Sequence, residues 1–168
     1  HPVYNSYLRE AFATIKQQAA PGDVLILRDG TLFTAASYYD AAVPWIGLPP
    51  EPLTDVNRFL FLPEALEKLT PFLGEHNARR AWVLSWQGHI MDPQNLVGGI
   101  MELIGTREPV TPGFGDVSLA LYTLHTSPRA VDERVRALEP LAEVPGGGPV
   151  LLGGYLLNAD PVPRGTPL

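Results

Sequence analysis

Apolar positions recur along this chain in two distinct rhythms. Tyr4, Leu8, Ala11, Phe12, Ile15 and Ala19 fall at helical spacing, with Arg9, Glu10, Lys16, Gln17 and Gln18 mostly on the other side. The spacing predicts an amphipathic helix that Pro21-Gly22 stops. Val24-Leu25-Ile26-Leu27 and Ala81-Trp82-Val83-Leu84 are instead apolar at every position, and each follows a helix-like segment and a polar turn. Strands apolar throughout must be covered on both faces, which predicts a mainly parallel sheet with helices above and below. The expected class is α/β: a three-layer Rossmann-like sandwich, mainly parallel, with an antiparallel margin.

The intervening segments fill in this plan. Arg28-Asp29-Gly30 ends the first strand, and Thr31 is placed to cap a helix through Leu32, Phe33, Ala35, Ala36, Tyr38 and Tyr39. A short strand over Val43 to Leu48 follows, with Pro44 at its entrance or on an edge because proline cannot donate to a ladder. Pro49, Pro50 and Pro52 make the stretch to Asn57 an irregular loop. Pro63 opens a helix whose buried side is Ala65, Leu66, Leu69, Phe72 and Leu73, while Pro71 is expected to kink or shorten it. A third strand covers Ala81 to Trp86. Asp92-Pro93 reads as a cap and first-turn proline for a helix bearing Leu96, Val97, Ile100, Met101, Leu103 and Ile104. Gly98-Gly99 inside that helix costs roughly 1 kcal/mol per glycine, so close packing or an interruption is expected there.

Beyond Val110 the pattern changes. Val117, Leu119, Leu121 and Tyr122 to Leu124 form a strand after the turn Pro112 to Asp116, and two strands joined by that turn supply the antiparallel margin. Arg129 to Leu141 is a charged helix or arm, and Pro145 to Pro149 is a linker-like break. Val150 to Leu157 reads either as a final edge strand or as the first strand of a truncated β-sandwich. The expected organisation is therefore an α/β domain over 1–144, then a linker and strand over 145–168.

Composition narrows the function. Gly 16 and Pro 18 make the chain rich in turns, and Lys+Arg 12 against Asp+Glu 18 gives a net charge of -6. No broad positive field exists to gather phosphate backbones, which argues against nucleic acid as a partner. Cys 0 excludes disulfides and thiolate metal sites without deciding the compartment. No apolar run is long enough to span a membrane, and no signal peptide opens the chain. The absence of an initiator Met at His1-Pro2 reads as a segment of something larger.

Candidate chemistry is sparse. The histidines at 1, 76, 89 and 125 have no metal-site spacing. Open α/β sheets place ligands beyond the carboxyl ends of parallel strands, here Arg28-Asp29-Gly30 and Trp86-Gln87-Gly88-His89. A small-molecule site would use Asp29, Tyr39, Gln87 and His89, with Asp29 and His89 as an acid/base pair if the strands bring them together. The plainer reading is that Asp-Gly forms a turn and Gln-Gly-His leaves a strand. The turn after the first strand lacks the glycine spacing of a dinucleotide loop, and Ser85 between Leu84 and Trp86 lacks a nucleophile elbow. Tyr38-Tyr39 and Trp82/Trp86 suit packing better than sugar stacking. The residues assign no catalytic group, metal or cofactor.

The ordered set of Pro21-Gly22-Asp23, Tyr38-Tyr39, Val43-Pro44, Gly47-Leu48-Pro49, Ala78 to Trp86 and Asp92-Pro93 resembles one family region. It is similar to the soluble C-terminal part of bacterial membrane glycosyltransferases of the protein O-mannosyltransferase-like class (glycosyltransferase family 39, GT-C superfamily). The resemblance implies an α/β domain on the extracytoplasmic face, tethered through a membrane-embedded part of the same polypeptide, with Val150 to Leu157 opening a β-sandwich. It also implies a polyprenyl-phosphate sugar donor and a glycan or lipid-linked sugar as partner. The family's catalytic acidic loop matches no position here, so no catalytic residue is carried over. Two readings follow: a non-catalytic accessory domain, or a stand-alone α/β small-molecule-binding protein or enzyme working at the strand ends.

Overall fold

The computed structural model describes residues 2–29, 32–49, 60–86, 88–110 and 116–136, with the backbone alone at 2–6, 89, 91, 132 and 134–136. The chain divides into two units, His1–Asp132 and Glu133–Leu168, and the sheet belongs to the first. The loop expected to Asn57 and the linker and strand expected over 145–168 lie outside the described residues.

Helix α1 (Pro2–Gln18) buries Ala11, Phe12 and Ile15, the apolar side its spacing predicts. Gly22, at φ +88, makes the turn into β1 (Asp23–Leu27), which is buried at every position. Helix α2 (Leu32–Tyr39) leads to β2 (Trp45–Gly47), a shorter strand than the sequence predicts. Pro44 stands just before it, and its carbonyl accepts the Leu25 N–H at 2.9 Å, a role that needs no proline donor.

Helix α3 (Leu62–Glu75) has Pro63 in its first turn and continues through Pro71. Pro71 is exposed, so water can serve the carbonyl left without a donor, and the expected shortening does not occur. Strand β3 (Arg80–Trp86) is followed by a short helix, α4 (Gly88–Met91), that the sequence does not announce. Helix α5 (Leu96–Ile104) is uninterrupted: a Cβ on Gly98 would lie 2.5 Å from Asn95 Oδ1, whereas Gly99 has open space. Close packing therefore accounts for the first glycine only. The chain then forms β4 (Gly105–Glu108), β5 (Val117–Leu124) and α6 (Arg129–Arg136).

The five-stranded sheet has the order β2-β1-β3-β5-β4. Strands β2, β1 and β3 are parallel, while β5 is antiparallel to both β3 and β4. The protein is thus α/β with a mixed sheet, parallel at one side and antiparallel at the other. Leu25, Leu27, Trp82, Leu84, Val117, Leu119 and Leu121 form one core with α1 and α2. Pleating sends Val24, Ile26, Ala81 and Val83 to the opposite face, and they are buried as well. Truncating a fully buried leucine such as Leu25 to alanine costs about 2–5 kcal/mol. Strand β5 alternates instead, with Ser118 exposed between buried Val117 and Leu119.

Candidate functional site

The connections out of β1 and into β3 leave the sheet in opposite directions, since β2 flanks β1 on one side and β3 on the other. The carboxyl ends of β1 and β3 thus form a topological switch point, the place where such sheets take ligands. The Arg28 N–H donates to the Leu84 carbonyl at 2.9 Å, extending the parallel ladder to the strand tips.

Three charged side chains meet there. Asp29 is only 2% exposed, and its Oδ2 accepts the Trp86 N–H at 3.1 Å, joining the two strand ends. Asp92 is equally hidden. Its Oδ1 accepts the Leu96 N–H at 2.6 Å and its Oδ2 the Val97 N–H at 3.1 Å. The same Oδ2 receives Arg28 Nη2 at 3.1 Å. Asp92 therefore does cap α5, as the sequence predicts, but from outside the helix. Asn95, at φ 54, is the residue immediately before α5, and Pro93 is not part of it. Ser85 and Gly88 complete the cluster: a Cβ on Gly88 would fall 2.1 Å from Ser85 Oγ, so only glycine fits without displacement.

Of the residues predicted for a site, Asp29 lies in this cluster. Tyr39 closes α2, which runs back toward the amino end of β2, and its ring stacks on Phe12 at a centroid distance of 5.5 Å. Gln87 and the side chain of His89 lie outside the described residues, His89 falling in α4. Arg28 and Asp92 are the additional members. Their sequence signals are a charge directly after an apolar strand and an Asp-Pro pair, neither of which reveals a partner sixty-odd residues away.

A second polar cluster occupies the other end of the same strands. Asp23 Oδ1 accepts Arg80 Nε at 2.8 Å, and Asp23 Oδ2 accepts Arg80 Nη2 at 2.7 Å. This bidentate pairing pushes the Arg80 pKa up from its ordinary value, mainly through the hydrogen bond to Asp23. Beside it, Thr123 Oγ1 donates to Glu108 Oε1 and ties β5 to the edge strand.

Among the described residues, two open clefts lie elsewhere. One of about 300 Å³ runs past Asn77, His125 and Ser127, and another of about 390 Å³ past Ser37, Asp40 and Trp45. Neither includes a member of the strand-end cluster. Among the described residues no group of three or more His, Asp or Glu could hold a metal ion, and no helix is long and apolar enough to cross a membrane. No family model, curated protein or solved structure matches the chain.

Proposed function

We propose that this chain is a non-catalytic accessory domain of a membrane glycosyltransferase that uses a polyprenyl-phosphate sugar donor. On this reading it stands on the extracytoplasmic face, tethered by the membrane-embedded part of the same polypeptide, and positions a glycan or lipid-linked sugar. The ordered sequence signals support the family. The observation that carries the accessory role is that both strand-end carboxylates hold backbone in place. Asp29 binds the Trp86 N–H, and Asp92 binds two N–H groups of α5 and Arg28. A general acid or base needs a carboxylate presented to a reacting proton.

The three-layer Rossmann-like arrangement belongs to the same reading. It is supported by burial of Val24, Ile26, Ala81 and Val83 on the face away from α1 and α2, together with the buried sides of α3 and α5. A second reading, a stand-alone small-molecule-binding protein or enzyme, draws on the meeting of Arg28, Asp29 and Asp92 at the switch point.

Two experiments separate them. The isolated chain, given a polyprenyl-phosphate sugar, is expected neither to transfer nor to hydrolyse it, and many hydrophobic segments are expected upstream of His1 in the reading frame. Turnover that disappears in Asp29→Ala or His89→Ala would overturn the accessory role, as would a start codon close to His1.

A further inference from the structure

The cavity of about 390 Å³ lies where the end of α2 turns toward β2, lined by Ser37, Asp40, Ala42 and Trp45 among others. It shares no lining residue with the strand-end cluster. Its features have one electrical sign. Helix α2 ends here with no basic residue in its last turn, so its terminal carbonyls present the negative pole of the helix. Asp40 follows directly, with its side chain 84% exposed. No lysine or arginine lines the cavity.

Two further observations say what kind of group fits. The Asp40 carboxylate already receives an ammonium, because Lys16 Nζ reaches Oδ2 from α1 in a long contact of 3.4 Å. Trp45 is half-buried and held against the Phe33 ring at 5.6 Å between centroids, giving the cavity an aromatic wall. Aromatic faces attract cations and do not attract anions. The backbone is also unusual: Asp40 has φ 54 and Ala42 φ 61. Aspartate tolerates the left-handed region after a helix, but alanine does so at a cost, and such conformations persist where the surroundings over-determine them.

We propose that this cavity binds a small organic cation bearing a primary ammonium group. Asp40 is its counter-ion, the α2 terminus and Trp45 are its walls, and Lys16 is an internal ammonium that the ligand displaces. The net charge of -6 favours approach of a cation from solution. This site goes beyond the accessory role and stands or falls independently of it.

The test is titration of the full chain with n-butylammonium at neutral pH, followed by amide and indole NMR signals of Ser37, Asp40 and Trp45, with butanol and inorganic phosphate as comparison probes. A saturable millimolar response is expected for the ammonium alone. Asp40→Asn, which keeps a side chain tolerant of the left-handed region, should weaken it about threefold, and Lys16→Met should strengthen it about twofold. An absent ammonium response, an equal response to butanol, or unchanged affinity in Asp40→Asn or in Lys16→Met would each overturn the proposal.

Discussion

The indole N–H of the buried Trp82 donates to the buried carboxylate of Asp23, at Oδ2, across 2.8 Å. The same carboxylate accepts Arg80 twice and the Ala20 N–H at 3.1 Å, so three residues converge on it. Asp23→Ala is expected to cost about 1–3 kcal/mol, because it leaves the buried Trp82 indole N–H without its acceptor, while the partly exposed Arg80 keeps the Gln18 carbonyl. Urea denaturation measures this. Trp82→Phe in the same assay tests the packing of the ring while leaving the ion pair in place.

Gly47 sits under the Phe33 ring so closely that a Cβ there would fall 1.5 Å from Phe33 Cε1. Gly47→Ala should destabilise by about 1–3 kcal/mol through forced displacement of the ring. Combining it with Phe33→Leu should recover part of the loss, and a double-mutant cycle in thermal melts reads the coupling directly.

Asp92→Ala removes both caps from α5 and leaves Arg28 without its carboxylate. The expected loss is about 3–5 kcal/mol, with Asp92→Asn less severe because one amide oxygen can still accept from the helix. Hydrogen exchange at Leu96 and Val97 is the specific readout: both amides should lose protection in Asp92→Ala.

Burial pushes the Tyr122 phenol up from its ordinary value of 10.0, with nearby Arg107 acting in the opposite direction. A raised folded pKa means that the neutral phenol is favoured in the folded state. Its contribution is complete below about pH 10 and is lost as pH climbs through the folded value. Melting temperature should therefore fall more steeply above about pH 10 in the native chain than in Tyr122→Phe.

The runs Val24 to Leu27 and Ala81 to Leu84 were legible as buried parallel strands because nothing in them tolerates water on either face. The helices were legible for the same reason at a different period. A partner strand before β5 was expected from the turn, but the position of β4 was not legible: Gly105-Thr106-Arg107-Glu108 carries no apolar side chain, and Thr106 and Arg107 are exposed. Backbone pairing to β5 and the Thr123–Glu108 contact hold it, and neither leaves a local mark. Helix α4 has four residues, too few for any periodicity to emerge.

The site divides along the same line. That Arg28-Asp29 and Trp86 lie at one end of the sheet follows from strand direction alone. What Asp29 and Asp92 bind there does not, because each bond depends on a partner brought in by the tertiary fold. Asp92 was legible as a cap but not as a cap acting across the left-handed Asn95.

The pairing of Arg80–Trp86 with Val117–Thr123 has a consequence for biosynthesis. A nascent polypeptide emerging from the ribosome completes β1 and β3 long before β5 is available. Until then β3, over its seven residues, presents one unpaired edge beside Trp82 and Leu84. Translation that stalls in this interval would release a fragment with a sticky flank, suited to cross-link neighbouring nascent chains unless a chaperone covers it.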